Sequence, residues 1–397
     1  MKRNFLTTLV ASAVALAFFS CGGAKSSTTT ASTTEAKAAA AEETKATAKY
    51  RVAMVTDSGD ITDQSFNQTT YEASKAYCSE AGLDFNYYKP AGDSTADRVA
   101  SINAAIQDEY NVLVLPGFLF AEAIVETAEM NDDVYFIGLD VGEFDIMDAA
   151  KNKGKDWSKL PANVFCAVYA EEIPGFMAGY AAVKEGFTHL GFLGGMAVPA
   201  VIRYGYGFVQ GCNAAATEMG IADKVAVEYV YGGQFYGDQQ IKASMDVWYQ
   251  KLGVEVVFAC GGGIWTSAAD AAKEVGGKVI GVDTDQTAQL NAYAEGMCVT
   301  SAMKGLGATV RAVLAAIQND KWADYSGKIL SLGLVSGTDI ASNYVQLPTD
   351  TWTMKNFTVD NYKALVADLF SGKIAVSNVT DKDPEVAITF KKYPNIK

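Results

Sequence analysis

The sequence is poorest in histidine, with one residue, His189, in 397. A histidine-based zinc site is almost excluded by that count. A serine triad would have to use His189, and no Gly-x-Ser-x-Gly elbow accompanies it. The residue reads as a loop or strand-edge side chain. Basic residues are also scarce, 32 Lys and Arg against 46 Asp and Glu, for a net charge of −14. Binding a phosphate backbone needs clustered Lys and Arg, so nucleic acid is not an expected partner. The cysteines, Cys21, Cys78, Cys166, Cys212, Cys260 and Cys298, have neither metal-ligand nor redox spacing. Beyond Cys21 their number is odd, so at least one is free unless it pairs with another chain. Most read as small buried hydrophobes. No motif asks for a cofactor.

Long apolar runs are nearly absent as well. The first residues, MKRNFLTTLVASAVALAFFSC, are a basic start followed by an apolar segment. It is shorter than the ~20 residues a membrane span needs, so residues 1–20 read as a secretory signal. The segment ends at Cys21, with small residues after it. That resembles a bacterial lipoprotein cleavage site with Cys21 as the lipidated N-terminus, although Phe18 stands where Leu is usual. An ordinary signal peptide with a buried cysteine is the alternative. Residues 21–48 then carry no large apolar side chain and cannot offset their ordering entropy, which describes a flexible tether.

The remainder, 49–397, is long enough for two lobes and has an ordinary globular composition, the whole chain being 49% hydrophobic and 20% charged. Its organising stretch is 50–82, YRVAMVTDSGDITDQSFNQTTYEASKAYCSEAG. Residues 52–55 form a buried strand, 56–60 a polar turn, and Thr62 or Asp63 caps a helix that stops at Gly82. The loop therefore sits at the carboxyl end of a strand, where α/β folds bind ligands. It concentrates Asp57, Asp60 and Asp63, and an aromatic, Phe66, stands beside the amide of Asn67. Asp60 and Asp63 read as turn and cap residues.

Short apolar strands and helices then alternate. Strands are expected at 85–88, 112–115, 134–139 and 164–169, with helices at 96–110 and 121–130. Residues 149–161 read as a solvated loop. A second array follows, with strands at 190–193, 225–230, 254–259 and 279–282 and helices at 175–184, 201–219, 238–251 and 266–274. Two such arrays indicate two doubly wound parallel sheets facing each other across a cleft. Farther on, a strand at 298–302, a helix at 304–317 and short elements near 329–335, 344, 358–370 and 386–390 are expected. Two glycine clusters need separate readings. Gly205 to Gly211 lies within a helix pattern and misses dinucleotide-loop spacing. Gly261-Gly262-Gly263 follows a strand, so it is either a tight turn or a loop whose amides face a ligand.

DSGDITDQSFNQTTYEASKA resembles the opening motif of the basic membrane protein family, which includes the purine nucleoside receptor lipoproteins of ABC importers. Gln64 stands where that motif usually has Lys, and Thr62 where an acid is common. Leu193-Gly194-Gly195-Met196, Tyr231 to Phe235, Gly281 to Gln286 and Thr300 to Lys304 extend the likeness in order and spacing. The resemblance implies a type I periplasmic-binding-protein fold with three crossings, near Tyr169, 285–297 and 321–328. The first lobe would be 49–168 plus about 298–322, the second 169–290 plus about 328–397. It implies Phe66 and Phe235 as rings about a nucleobase, with Tyr236 one position of slippage away. Asp57, Asn67 and Asp140 would contact the ligand from the first lobe, and Asp283 and Lys304 would lie near the ribose. Gly262 belongs to the family's glycine loop, and Trp265 would be an extra wall. The expected protein is no enzyme but a lipid-anchored receptor on the extracytoplasmic face of a cell membrane, delivering purine nucleosides to an ABC permease. A sugar receptor on the same fold, an adhesin and a nucleoside hydrolase are the rivals.

Overall fold

The computed structural model describes residues 49–57 and 59–397. The expected signal, tether and lipidated Cys21 lie outside the described residues. The chain first lays down β1 (Arg51–Val55), α1 (Phe66–Ala81), β2 (Asp84–Tyr88), α2 (Thr95–Gln107), β3 (Val112–Pro116), α3 (Phe120–Thr127), β4 (Tyr135–Leu139), α4 (Glu143–Asn152) and β5 (Val164–Tyr169). A second array follows: α5 (Glu172–Glu185), β6 (His189–Gly194), α6 (Pro199–Glu218), β7 (Ala226–Tyr231), α7 (Gln239–Val247), β8 (Val256–Cys260), α8 (Trp265–Val275), β9 (Lys278–Asp283), α9 (Thr287–Tyr293) and β10 (Cys298–Lys304). The chain closes with α10 (Leu306–Gln318), β11 (Lys328–Leu332), β12 (Val345–Gln346), α11 (Val359–Phe370) and β13 (Thr389–Lys392).

The strands form two sheets, ordered β11-β5-β4-β3-β1-β2 and β12-β10-β9-β8-β6-β7-β13. Among the described residues all strand pairings are parallel except β10 with β12. Apolar side chains cover both faces of each sheet, because helices return alternately above and below it. Three crossings join the lobes: β5 into α5, β10 into α10, and β11 into β12.

Two of these crossings differ from expectation. Residues 298–304 do not begin the return to the first lobe, and 285–297 do not cross. β10 is an interior strand of the second sheet, and its residues enter the cores on both faces, Val299 and Ala302 on one and Cys298 on the other. Likewise 321–328 is no crossing, because β11 pairs along its length with β5 at the edge of the first sheet. Two helices were not anticipated. α4 overlaps the expected loop and buries only Ile146, Ala149 and Ala150, and α9 buries only Leu290, so neither shows a strong apolar stripe. α1 begins at Phe66, later than expected. Asp63 accepts the N–H groups of Ser65, Asn67 and Gln68 and serves as its cap from outside.

The Gly205–Gly211 cluster has a packing role. α5 and α6 lie backbone to backbone along a seam of glycines. A side chain at Gly175 or Gly179 would overlap the carbonyls of Tyr204 and Phe208, and one at Gly207 or Gly211 those of Glu172 and Phe176. No side chain can move aside there, so the seam tolerates hydrogen alone. Gly211→Ala is expected to cost about 3 kcal/mol or more, at the upper end of overpacking penalties. Denaturant unfolding of the variant checks this, and an unchanged midpoint would mean the helices do not touch.

Candidate functional site

A cavity of about 380 Å³ lies between the lobes at the carboxyl ends of both sets of strands. Its first-lobe wall is built by the loop after β1. Asp57 Oδ1 accepts from the Gly59 N–H at 2.7 Å and from Asn67 Nδ2 at 2.9 Å. With the Asp63 cap, these bonds bring Phe66 and Asn67 to the cavity in the first turn of α1. Asp140 follows β4 in the left-handed region, φ 59°, and turns its carboxylate inward.

The second-lobe wall mirrors this. Asp283 ends β9, also left-handed at φ 66°, and Lys304 ends β10. Phe235 follows β7, and its ring rests where side chains at Gly195 or Gly261 would lie. The glycine loop thus serves as a seat for an aromatic ring, while Gly262 also borders the cavity.

Contacts cross between the lobes all round the cavity. Ser65 Oγ donates to Asp283 Oδ2 at 2.7 Å, Gln286 Nε2 to the Gln64 carbonyl at 2.8 Å, and Trp265 Nε1 to the Asp63 carbonyl at 3.3 Å. Lys304 Nζ lies 2.5 Å from Asp140 Oδ2, 3.6 Å from Asp283 and 3.7 Å from Glu171. It also stands 4.6 Å from the Phe66 ring centroid, so one face of that ring is covered by the ammonium.

Burial opposes the Lys304 charge, but the carboxylates of Asp140, Asp283 and Glu171 outweigh it and raise its pKa. Asp283 shares that one cation with two other acids, and burial pushes it up to about 6. Asp57, without a cation in contact, is likewise pushed up to about 6 by burial. Among the described residues, Oδ1 of Asn67, Oδ1 of Asp140 and the Tyr204 hydroxyl are buried without a hydrogen-bond partner. Three polar atoms left so beside one cavity are suited to hydrogen-bonding a ligand.

Asp57, Phe66, Asn67 and Asp140 line the cavity from the first lobe, and Phe235, Gly262, Asp283 and Lys304 from the second. Lys304 reaches it from the end of a second-lobe strand, although it was expected to follow a first-lobe one. Trp265 does not line the cavity, because its indole is turned onto the Asp63 carbonyl and Tyr293. Tyr236 is 61% exposed and absent from the lining, so Phe235 is the inward aromatic. His189 opens β6 and contacts Glu228 at 3.1 Å, outside the lining. Asp63, expected only as a cap, also lines the cavity. Sequence reading missed Arg203, Tyr204, Cys260 and the exposed Phe144. For Arg203 and Tyr204 a signal existed: they lie in the second turn of the helix after the first strand of the second array, and Phe66 and Asn67 lie in the first turn of the corresponding helix of the first array.

The position of Asp57 has a consequence for stability. Its carboxyl titrates near 3.8 in an unfolded chain and about 6 here, so folding favours the protonated form. That contribution is present below pH 4 and is lost as pH rises through 6. Ligand-free Asp57→Asn should therefore unfold later than the parent at pH 8, by on the order of 2 kcal/mol. The gap should close as pH falls from 6 to 4. Thermal melts across that range check it, and a variant less stable at pH 8 would show that the ionised carboxylate is stabilised in place.

Comparison with known proteins matches residues 50–339 to the family described as ABC transporter substrate-binding protein PnrA-like. The ABC transporter nucleoside-binding protein BmpA of Lactococcus lactis subsp. cremoris is 26% identical over 351 residues, 84% of this chain and 90% of that one. An uncharacterized lipoprotein of Pyrococcus abyssi is 24% identical, covering 82% and 79%. An ABC transporter solute-binding protein from Conexibacter woesei superposes with a TM-score of 0.63 at 22% identity, covering 83% and 99%. The two parallel-sheet lobes and three crossings are thus the type I periplasmic-binding-protein fold. With its match spanning most of the sequence, the chain belongs to the PnrA-like family of ABC transporter substrate-binding proteins.

Proposed function

We propose that the protein captures a nucleoside, most readily a purine nucleoside, in the interlobe cavity and presents it to an ABC permease. The observation that carries this reading is a phenylalanine from each lobe, Phe66 and Phe235, on a cavity whose floor is carboxylate-rich. A flat base buried against such rings gains area burial plus roughly 0.5–1.5 kcal/mol per favourable pair. Asp57, Asn67 and Asp140 offer acceptors to base or ribose donors, and Asp283 and Lys304 suit ribose hydroxyls. Two cations, Arg203 and Lys304, face Asp57, Asp63, Asp140, Glu143, Asp145 and Asp283, so phosphate groups would be repelled. A neutral nucleoside therefore fits better than a nucleotide. The name of the Lactococcus relative is in keeping with this reading.

Binding would favour the closed form because the ligand touches both lobes. Anchoring through a lipid on Cys21 is part of the same proposal, supported by the cleavage-site resemblance and by a relative named a lipoprotein.

Isothermal calorimetry with adenosine, guanosine, inosine and ribose is the direct test. Nucleosides should bind and ribose alone should not; the reverse order would make this a sugar receptor. Phe66→Ala should lose tenfold or more in affinity without altered folding. Asp283→Ala should cost adenosine about 1.5–3 kcal/mol, one to two decades, while adenine loses little. Equal losses would remove Asp283 from the sugar. For the anchor, Cys21→Ala should abolish the processed, membrane-bound form, read by fractionation. Correctly processed variant in the membrane fraction would overturn lipidation.

A further inference from the structure

Among the described residues four tyrosines are fully buried: Tyr169, Tyr204, Tyr229 and Tyr362. Three of them use their hydroxyls within the protein. Tyr169 donates to Thr309 at 2.9 Å, Tyr229 shares a bond with Tyr231 at 2.8 Å, and Tyr362 accepts the Leu347 N–H at 2.8 Å. Tyr204 is the exception. It is 1% exposed, and its hydroxyl has no partner among the described residues.

Its surroundings are those of the site. Tyr204 lies near the start of α6 and borders the cavity. Its ring packs edge-on to Phe258 at 5.9 Å, and Lys304 Nζ stands 5.8 Å from its centroid. Burial, with Asp283 and Glu171 nearby, keeps the phenol protonated, so it remains both donor and acceptor. Phenylalanine would fill the same volume and leave no orphaned polar atom. A hydroxyl retained there, at the cost of desolvation, points to a partner that arrives with the ligand.

We propose that Tyr204 is a specificity-determining residue whose hydroxyl bonds one hydroxyl of the bound ribose, beside Asp283 and Lys304. The inference rests on the nucleoside reading above. It assigns to the second-lobe helix a polar contact that discriminates between ribosides and their deoxy forms. A site built to bond a hydroxyl rejects the analogue lacking it far more strongly than an apolar pocket does, because its own polar atom is then left unpaired.

The test is Tyr204→Phe, titrated calorimetrically with inosine and with 2′-, 3′- and 5′-deoxyinosine. Inosine should lose about tenfold in affinity, the worth of one neutral hydrogen bond. One deoxy analogue, lacking the hydroxyl that Tyr204 bonds, should lose no more than about twofold. Ligand-free Tyr204→Phe should melt at or above the parent temperature, since it removes an unpartnered group. Unchanged inosine affinity, an equal loss for all four ligands, or a lower ligand-free melting point would each overturn the assignment. If the parent protein binds neither inosine nor adenosine nor guanosine, the nucleoside reading itself falls, and that outcome is separate from a failure of Tyr204 alone.

Discussion

One buried ammonium organises this structure. Lys304 is almost wholly withdrawn from solvent, and a cation in that position is very costly unless it is paired and hydrogen-bonded. Its three carboxylates come from three parts of the chain: Asp140 from the first lobe, Asp283 from the second, and Glu171 from the first crossing. The pairing is satisfied only when those parts are together, so the geometry of the cleft and the solvation of one charge are a single problem. The same arrangement makes the cavity acid-rich, and it leaves Asp140 one oxygen short of partners. Arg203 completes the network by donating to Glu171 at 2.6 Å, which ties the helix bearing Tyr204 to the crossing.

The two walls are built on one plan. Counting from the start of each array, Asp140 directly follows the fourth strand and Asp283 ends it, and both adopt positive φ. Gly117 and Gly261 both follow the third strand, at φ 123° and 136°. Non-glycine residues in that region are uncommon, and they cluster where a surrounding structure holds them for a purpose. Here the purpose is directional. A strand-end carboxylate in this conformation leaves the sheet edge and turns toward the opposing lobe. The lobes differ in what they add, a carboxylate-braced loop on one side and a glycine-seated ring on the other.

Much of this was readable in the sequence because the signals are local. Buried parallel strands appear as short apolar runs, and residues 52–55, 112–115 and 254–259 all proved to be strands or to overlap one. Phe66, Asn67, Asp140 and Asp283 sit at strand ends or first helical turns, where a linear reading already looks for ligands. What escaped depends on partners distant in the chain. Nothing within residues 298–304 says that they pair with β9 and not with a first-lobe strand. The side chain of Trp265 suits a pocket wall, and only the position of Asp63 turns it aside. The Gly205–Gly211 cluster was legible as helix, but its reason was not, since the reason is α5 for Gly207 and Gly211 and the sheet aromatics Phe192 and Tyr229 for Gly205. Tyr204 escaped because an aromatic in a helix normally reads as core, which most of its ring is.

The glycine seam has a mechanical consequence. Side-chain layers between helices act as a compliant lining, because rotamers can yield by small amounts when one element shifts. Between α5 and α6 no such lining exists at the seam, and displacement of one helix passes to the other undamped. α5 starts directly after Glu171, where the chain leaves the first lobe, and the second turn of α6 delivers Arg203 and Tyr204 to the cavity floor. The pair is therefore a stiff lever between crossing and floor, which the Glu171–Arg203 contact also ties together. Substitutions at 203 or 204 alter what the lever holds against a ligand. Substitutions at Gly175 or Gly207 alter whether motion at the crossing arrives at the floor with its amplitude intact.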